Sequence, residues 1–356
     1  MARDLLVPGT SSTKLLLDGE DIGWPGELTV AGWLAKRTAL TEGFEKLDDK
    51  YPTPRDIENL LSMQYSGDAT VLTAEKTTLW PGGAMAPGPL LRLAYNQFND
   101  FETFLYDWRQ DIRRSADLLL DRLTGKPGDP WRIVCHSQGG LVVVAAAARL
   151  SERTSGGDDR AFSRIVSHVA FIGVPFHGTL KAADAFIKGE ELAPPAAAVF
   201  KRVARTWPAL YQMLPTWLGC VRTFDGAGGE LTQQTNLLQD EPWTGQQMVP
   251  AMLDRARRTR AYLRAPMASL NGVKKRIFQS RAYDTPDHVV RTTNGLQVTG
   301  AVPGDTLIAD DITRDAGGDI QKQLTVSIGQ NGNTLVHSML ADDPTFATAV
   351  KDFLAQ

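Results

Sequence analysis

Short apolar runs alternate with longer segments of helical periodicity along the first half of the chain. Leu5–Val7, Trp131–Cys135 and Ile165–Ile172 are runs of the length and composition expected for buried strands. Between the first two, the apolar residues of Arg109–Leu123 recur every three or four positions, which predicts a helix. A second helix, rich in small residues, is predicted over Gly139–Leu150. This alternation predicts an α/β fold with a mostly parallel central sheet flanked by helices.

The pattern changes after about residue 180. Up to about residue 266 the spacing of apolar residues is helical, and no run in this segment resembles a strand. The other strand candidates of the chain are Phe101–Tyr106, Lys275–Gln279, Leu296–Val302 and Leu324–Ile328, and a last helix is predicted over 343–355. We therefore predict a core formed by residues 1–180 and 267–356, with residues 181–266 inserted as a helical cap.

Composition and charge exclude several classes of protein. The 356 residues include 38 Lys and Arg against 41 Asp and Glu, which gives a formal net charge of −3. Proteins that bind nucleic acids usually carry a basic surface, so we expect no nucleic-acid partner. The two cysteines, Cys135 and Cys220, cannot form a disulfide framework or a structural zinc site, and the five histidines are scattered. We expect no metal and no cofactor.

The apolar stretch near the N-terminus lacks the features of a targeting segment. It is too short for the apolar region of a signal peptide, and no cleavage pattern follows it. The longest apolar run, Leu141–Ala148, has eight residues, whereas a membrane-spanning helix needs about 20. These observations predict a soluble, cytoplasmic protein.

The most informative segment is Ile133–Gly140, where a β-branched run ends in a tight turn before a helix. Ser137 lies at the apex of this turn, which is the context of a nucleophilic serine in a strand–turn–helix elbow. The residues two before and two after such a serine must be small, and Cys135 and Gly139 occupy these positions. The backbone N–H of Gln138 begins the helix and is placed to stabilise an oxyanion. Cys135 is an alternative nucleophile, although it lies at the strand end rather than at the apex.

The first strand runs directly into Val7-Pro8-Gly9-Thr10. A second oxyanion donor commonly comes from a loop after an early strand. We predict that the backbone N–H of Thr10 is this donor, with Ser11 as the alternative. An ordinary turn after the strand explains the same residues equally well.

Several segments together resemble the lecithin:cholesterol acyltransferase-like family of the α/β-hydrolase superfamily, which includes lysosomal phospholipase A2 and bacterial relatives. They occur in the order of that family and span most of the chain. The segments are VPGT at 7–10, WP at 24–25, YDWR at 106–109, CHSQGG at 135–140, GVPFHGT at 173–179, TWPALYQMLP at 206–215, GDT at 304–306 and VHSML at 336–340. The resemblance implies an α/β-hydrolase fold and a substrate that is an acyl ester or a lipid.

The resemblance also implies a catalytic acid and a catalytic histidine late in the chain. Asp305 matches the acid, in a turn with one glycine fewer than the GDGT-like turn of the family. Asp310 and Asp311 are the alternatives. His337 matches the histidine, in a polar loop before the last helix. The resulting order, serine, then acid, then histidine, is the one expected for this fold.

These residues predict a serine esterase or lipase that forms an acyl-enzyme intermediate on Ser137. If an alcohol rather than water accepts the acyl group, the enzyme is an acyltransferase, and nothing in the triad decides between the two. An esterase or lactonase for small soluble substrates is another alternative. A non-enzymatic alternative is an inactive hydrolase fold used for binding.

Other polar residues favour structural roles. His136 is expected to pack beneath the nucleophile, and His177 to be structural. Asp107 and Arg109 are expected to form an internal ion pair that anchors a loop near the site. Two further aspartates, Asp284 and Asp287, flank Pro286 and are interpreted as turn formers.

Two groups of side chains bear on contact with membranes. The tryptophans suit either an apolar entrance at a lipid–water boundary or packing between cap and core. The arginines suit transient contact with an anionic membrane surface, although a solvated helix face is the preferred interpretation. The residues concerned are Trp80, Trp207, Trp217 and Trp243, and Arg255, Arg257, Arg258, Arg260 and Arg264.

Overall fold

Strands and helices alternate along the part of the chain that the computed structural model describes. The described residues are 3–10, 12–17, 20–21, 64–65, 77–78, 83–87, 95–125, 128–154, 157–189, 196–224, 229–232, 235–263, 268–293, 295–309, 325–328 and 337–356. Their strands are β1 (Arg3–Val7), β2 (Thr13–Leu17), β3 (Glu20–Asp21), β4 (Gln64–Tyr65), β5 (Thr77–Thr78), β6 (Gly83–Pro87), β7 (Glu102–Thr103), β8 (Trp131–His136), β9 (Val166–Ile172), β10 (Val221–Phe224), β11 (Glu230–Thr232), β12 (Lys274–Ser280), β13 (Tyr283–Thr285), β14 (His288–Thr292), β15 (Gly295–Thr299), β16 (Val302–Gly304) and β17 (Thr325–Ile328). Their α-helices are α1 (Ile112–Thr124), α2 (Gln138–Arg153), α3 (Leu180–Ile187), α4 (Ala196–Ala204), α5 (Pro208–Gln212), α6 (Pro250–Leu263) and α7 (Pro344–Leu354).

The central sheet has six strands in the order β17-β12-β9-β8-β1-β7. All its described pairings are parallel. The strands predicted from Leu5–Val7, Trp131–Cys135 and Ile165–Ile172 all belong to it, which confirms the mostly parallel α/β fold. The candidate Phe101–Tyr106 is shorter than predicted, since only Glu102–Thr103 pairs as an edge strand with β1.

Different helices cover the two faces of this sheet. Side chains alternate between the faces along each strand, so Leu5 and Val7 belong to one apolar cluster and Leu6 to the other. Residues of α1 and α2 complete the first cluster, and residues of α7 complete the second. Because helices cover both faces, the central strands β8 and β9 are buried at all but one position each.

Helix α2 is buried from Gln138 to Ala148. A helix that is apolar on all sides fits a position between a sheet and other helices. Its small residues allow close approach, since a Cβ on Gly140 would lie 2.2 Å from a methyl group of Val174. Neither α2 nor any other helix within the described ranges is long and apolar enough to cross a membrane.

The segment 181–266 contains strands as well as helices. Four helices, α3 to α6, lie mainly in this segment, but β10 and β11 contradict the expectation that it holds no strand. Strand β10 pairs with β14, and together with β11 and β15 they form a four-stranded sheet. A four-residue strand whose partner lies far along the chain leaves little local signal. The division of the chain into a core and an inserted cap stays a prediction.

The predicted strand Leu296–Val302 is divided into β15 and β16. Gly300, with a φ of 97°, lies between them. Glycine adopts this left-handed conformation readily, and the change of direction ends the extended run. Strand β15 pairs with β14 and β16 pairs with β13, so neither belongs to the central sheet. The prediction of one continuous strand is therefore wrong.

Two of the tryptophans considered for an apolar entrance are buried instead. Trp207 and Trp243 are both 2% exposed and belong to the larger apolar cluster. Trp217 is partly exposed and packs against the same cluster, and Trp80 lies outside the described residues. The interpretation as packing is therefore correct for Trp207 and Trp243.

Two of the arginines in the basic run are also buried. Arg255 forms an ion pair with the fully buried Asp111. Arg260 is 4% exposed and donates to the carbonyl oxygen of Phe176 at 3.0 Å. The interpretation of the run as one solvated or lipid-facing helix face is wrong at these positions, because both guanidinium groups have acceptors in the interior. Arg264 lies outside the described residues.

Candidate active site

Ser137 joins β8 to α2 in a backbone conformation that side chains rarely adopt. Its φ is 51° and its ψ is −130°, and such a conformation typically costs about 1–3 kcal/mol. The turn is held by the N–H of Ser137, which donates to the carbonyl oxygen of Ile172 at 2.9 Å. A Cβ on Gly139 would lie 2.3 Å from the carbonyl oxygen of Val7, so only glycine fits there. This is the tight turn that the sequence predicts around Ser137.

The environment of Cys135 disfavours it as the nucleophile. Its thiol is buried and donates to the carbonyl oxygen of Ala170 at 3.4 Å. Burial raises the pKa of the Cys135 thiol well above its usual value. Since the thiolate is the reactive form of cysteine, Cys135 serves here as a small side chain beneath the turn.

The structure brings together the three side chains predicted as a triad. His337 Nε2 lies 2.8 Å from Ser137 Oγ, and His337 Nδ1 lies 2.7 Å from Asp305 Oδ2. A carboxylate only accepts, so Nδ1 carries the proton, and Nε2 of the neutral ring accepts from the serine hydroxyl. The side chains of Asp305 and His337 are buried. The alternatives Asp310 and Asp311 lie outside the described residues.

The turn that carries Asp305 forms although it has one glycine fewer than the turn of the family. Asp305 Oδ1 accepts the backbone N–H groups of Leu307 and Ile308 at 3.0 and 2.7 Å. Thr306 has a φ of 83°, in the left-handed region that favours glycine. Its N–H donates to Thr285 Oγ1 at 2.9 Å. These hydrogen bonds hold the turn in shape although no glycine follows the aspartate.

Gly173, at the end of β9, lies beside the contact between Asp305 and His337. Its φ is 52°, and a Cβ there would lie 3.2 Å from both Asp305 Oδ2 and His337 Cε1. A side chain at this position would therefore press on both. Gly173 was not among the predicted site residues, although its place directly after a central strand is a signal that could have identified it.

The loop that contains Thr10 lies directly against Ser137. A Cβ on Gly9 would be 2.8 Å from Ser137 Cβ. Thr10 Oγ1 donates to Gln138 Oε1 at 2.7 Å, and Gln138 Nε2 donates to the carbonyl oxygen of Trp108 at 2.9 Å. The N–H of Gln138 is at the start of α2, where a helix has no acceptor of its own. The loop thus lies beside both Ser137 and the first residue of α2.

A buried tyrosine and histidine connect this loop to His337. Tyr95 OH accepts the N–H of Gly9 at 3.0 Å and lies 2.6 Å from His136 Nδ1. His136 Nε2 lies 2.9 Å from the carbonyl oxygen of His337. His136 is buried, and its ring packs against the rings of Tyr95 and His337, which agrees with the predicted packing role. Tyr95 was missed, since nothing in its local sequence distinguishes it.

The remaining candidates have structural partners. Asp107 and Arg109 form a bidentate ion pair, with Oδ1–Nε and Oδ2–Nη2 distances of 3.0 and 2.9 Å, as predicted. The carbonyl oxygen of His177 accepts from the N–H and hydroxyl of Thr216 at 2.9 and 3.0 Å. Asp287 Oδ1 lies 2.8 Å from Nδ1 of its neighbour His288, and its Oδ2 lies 3.5 Å from Arg222 Nη2.

The parallel sheet, the strained turn at Ser137 and the order of Ser137, Asp305 and His337 are those of the α/β-hydrolase fold. No family model matches the chain. The chain is similar to a chain in the crystal structure of the Tle4–Tli4 complex, with a TM-score of 0.57, 10% identity, and coverage of 99% of this chain and 98% of that one. A second match is the lipase BlEst2 of Bacillus licheniformis in its mature form, with a TM-score of 0.37, 11% identity, and coverage of 73% and 83%. The first likeness supports the fold, and the resemblance to the lecithin:cholesterol acyltransferase-like family stays a prediction from the motifs.

Proposed function

We propose that the protein is a serine hydrolase that cleaves carboxylic esters through an acyl-enzyme intermediate. The observation that carries this proposal is the continuous line of hydrogen bonds from Ser137 through His337 to Asp305. The strained turn at Ser137 adds to it, because such strain persists at functional sites where the surrounding structure maintains it.

In this mechanism Ser137 Oγ attacks the ester carbonyl while His337 Nε2 takes its proton. The carboxylate of Asp305 holds the ring in the required tautomer and stabilises the imidazolium that forms. His337 then gives the proton to the departing alcohol, and the acyl group stays on Ser137. An incoming hydroxyl, activated by His337 in turn, releases the acyl group and restores the serine.

The negative charge that develops on the carbonyl oxygen needs fixed donors. We assign this role to the backbone N–H groups of Thr10 and Gln138, whose side chains are hydrogen-bonded to each other at 2.7 Å. Removal of one such donor typically costs about 2.7–4 kcal/mol of transition-state stabilisation. The side-chain contact keeps the two residues together before substrate arrives.

The substrate class is an acyl ester or a lipid, and this part of the proposal depends on the motif resemblance. The acyl acceptor is water in a hydrolase and an alcohol in an acyltransferase. The hydrogen bonds around Ser137 serve both reactions, so the acceptor must be determined by experiment.

The first experiment is covalent labelling with a fluorophosphonate, followed by mass spectrometry of the Ser137 peptide. We expect one adduct on the wild-type protein and none on Ser137→Ala. The absence of an adduct from correctly folded wild-type protein would overturn the proposal and favour an inactive fold used for binding.

The second experiment distinguishes the acceptors and the substrates. The protein is incubated with mixed phospholipids and a long-chain alcohol, and the products are separated by mass. Free fatty acid indicates hydrolysis, and an ester of the added alcohol indicates transfer. Cleavage of short-chain esters without enhancement by vesicles would favour the small-substrate esterase instead.

A further inference from the structure

Four residues form a buried hydrogen-bonded connection from the loop beside Ser137 to the main chain of His337. It runs from the N–H of Gly9 through Tyr95 and His136 to the main chain of His337. We infer that Tyr95 and His136 are positioning residues, which hold the oxyanion loop and the general base in register with Ser137. The inference rests on the proposed function.

The chemistry at both ends determines the direction of every hydrogen bond. A backbone carbonyl only accepts, so His136 Nε2–H donates to the carbonyl oxygen of His337. Nδ1 of the neutral ring is then an acceptor, and the hydroxyl of Tyr95 donates to it. At the other end the N–H of Gly9 only donates, so the oxygen of Tyr95 accepts it. All these donors and acceptors are satisfied in one arrangement.

Burial keeps both side chains in the uncharged forms that this arrangement requires. Burial lowers the pKa of His136 well below its usual value, and the neighbouring His337 lowers it further. Burial likewise raises the pKa of Tyr95 to about 12. The rings of His136 and His337 have centroids 4.8 Å apart. A proton on His136 would therefore oppose the imidazolium that forms on His337 during catalysis.

At the general base, hydrogen bonds hold the main chain of His337 on both sides, and the connection supplies one of them. Its N–H donates to the carbonyl oxygen of Asp305 at 2.9 Å, and its carbonyl oxygen accepts from His136. The position of the ring relative to Ser137 thus depends on His136, which lies outside the triad, as well as on Asp305. Positional errors of about 1 Å can cost roughly a hundredfold in rate.

At the oxyanion loop, the connection determines which N–H group faces the substrate. The N–H of Gly9 is occupied by Tyr95, and the hydroxyl of Ser12 lies 3.3 Å from the same oxygen. With Gly9 held in this way, Thr10 follows at the position where its side chain reaches Gln138. One phenolic hydroxyl therefore connects the loop to the residue that precedes the nucleophile.

The first test compares Tyr95→Phe with Tyr211→Phe. Tyr211 is a matched control, because it is also buried and its hydroxyl accepts a backbone N–H, that of Val249, at 3.3 Å. Each substitution removes one oxygen from a buried ring. The probe is a fluorophosphonate, and the measurement is the second-order rate constant for labelling of Ser137. We expect this rate to fall about 10- to 100-fold in Tyr95→Phe and to stay at the wild-type value in Tyr211→Phe.

The second test compares His136→Gln with His136→Phe. The side-chain amide of glutamine can place an N–H near the position of Nε2, whereas phenylalanine has no donor. With p-nitrophenyl butyrate as the substrate, we expect kcat to fall in both variants, less in His136→Gln, with KM nearly unchanged. Because each variant is assayed only after its melting curve shows a folded protein, a loss of stability does not imitate the result.

The outcomes separate this inference from the proposed function. If wild-type protein forms no adduct, the proposed function fails and the inference fails with it. If wild-type protein is labelled but Tyr95→Phe reacts at the same rate, the inference alone is overturned. Equal kcat values for His136→Gln and His136→Phe would contradict the role assigned to the Nε2 donor.

Discussion

His337 is bound to Asp305 twice, once through its ring and once through its main chain. Nδ1 lies 2.7 Å from Oδ2, and the backbone N–H donates to the carbonyl oxygen of Asp305 at 2.9 Å. The main-chain hydrogen bond positions His337, and the hydrogen bond from Nδ1 orients its ring. The other carboxylate oxygen is held by two backbone N–H groups, so the carboxylate cannot rotate without losing them.

Replacement of the Asp305 carboxylate by an amide tests whether Asp305 determines the tautomer of His337. In Asp305→Asn the amide oxygen can keep the two N–H groups of the turn, which places the NH2 group against His337 Nδ1. The ring then carries its proton on Nε2, where it cannot accept from Ser137. We expect kcat to fall about 10⁴-fold with little change in Tm. A decrease of less than tenfold would contradict the orienting role of Asp305.

A substitution at Gly173 tests whether the contact between Asp305 and His337 tolerates an added methyl group beside it. We expect Gly173→Ala to lower ester hydrolysis at least about tenfold, because its Cβ presses on Asp305 and His337. Gly157→Ala is the matched control, since its φ of 73° is also left-handed but its Cβ meets nothing within 4 Å. Both variants lose about 1–2 kcal/mol of stability from the strained backbone. Equal activities in the two variants would show that the contact at Gly173 does not matter.

Removal of the Thr10 hydroxyl tests whether its hydrogen bond to Gln138 supports the proposed oxyanion donors. In Thr10→Val the hydrogen bond to Gln138 Oε1 is lost while the size of the side chain is kept. A buried hydrogen bond contributes about 1 kcal/mol, so we expect kcat to fall about fivefold or more. Thr10→Ser keeps the hydroxyl and is expected to restore most of the activity. Comparable losses in both variants would assign the effect to packing instead.

The lowered pKa of His136 predicts how the free energy of unfolding depends on pH. Burial lowers its pKa in the folded state, whereas in the unfolded chain histidine titrates near about 6.5. Above that pH the His136 side chain is neutral in both the folded and the unfolded chain, so it adds no pH dependence to stability. As the pH falls below it, only the unfolded chain takes up the proton, so stability falls by up to about 1.4 kcal/mol per pH unit.

Urea unfolding of wild-type protein and His136→Gln between pH 7 and 5 measures this contribution. We expect a shallower decrease in the variant. The other buried histidine with a lowered pKa, His168, is present in both proteins and cancels in the comparison. Parallel curves would show that His136 takes up a proton in the folded state.

Two buried arginines of α6 are expected to respond differently to the same substitution. Arg255 pairs with the buried carboxylate of Asp111, whose other oxygen lies 3.5 Å from Arg113 Nε. Arg255→Met removes the more deeply buried of these two partners and is expected to cost about 3 kcal/mol. For Arg260, no carboxylate partner lies within the described ranges, and burial lowers its pKa to about 9. Arg260→Met is therefore expected to change stability by less than about 1 kcal/mol or to raise it. Chemical denaturation gives both values, and equal losses would contradict the contrast.

Local patterns predicted the parts of the fold that are apolar on both faces. Strands β8 and β9 are buried at all but one position each, so their runs of apolar residues are visible without knowledge of their partners. The four residues of β10, Val-Arg-Thr-Phe, show no regular alternation of polarity and become a strand by pairing with β14. The run Leu296–Val302 appears continuous, but Gly300 divides it. Such short elements depend on partners that no local window contains.

The sequence by itself determined which reactive groups the chain carries, their order, and the turn at Ser137, because close packing there requires the neighbouring glycine. Only the tertiary structure decided that Asp305 and His337 meet at that serine, since their side chains come from loops far apart in the chain. It also decided that Tyr95 and His136 connect the loop at Gly9 to the main chain of His337. A hydrogen bond depends on distance and direction in space, and neither is written in the spacing of residues along the chain.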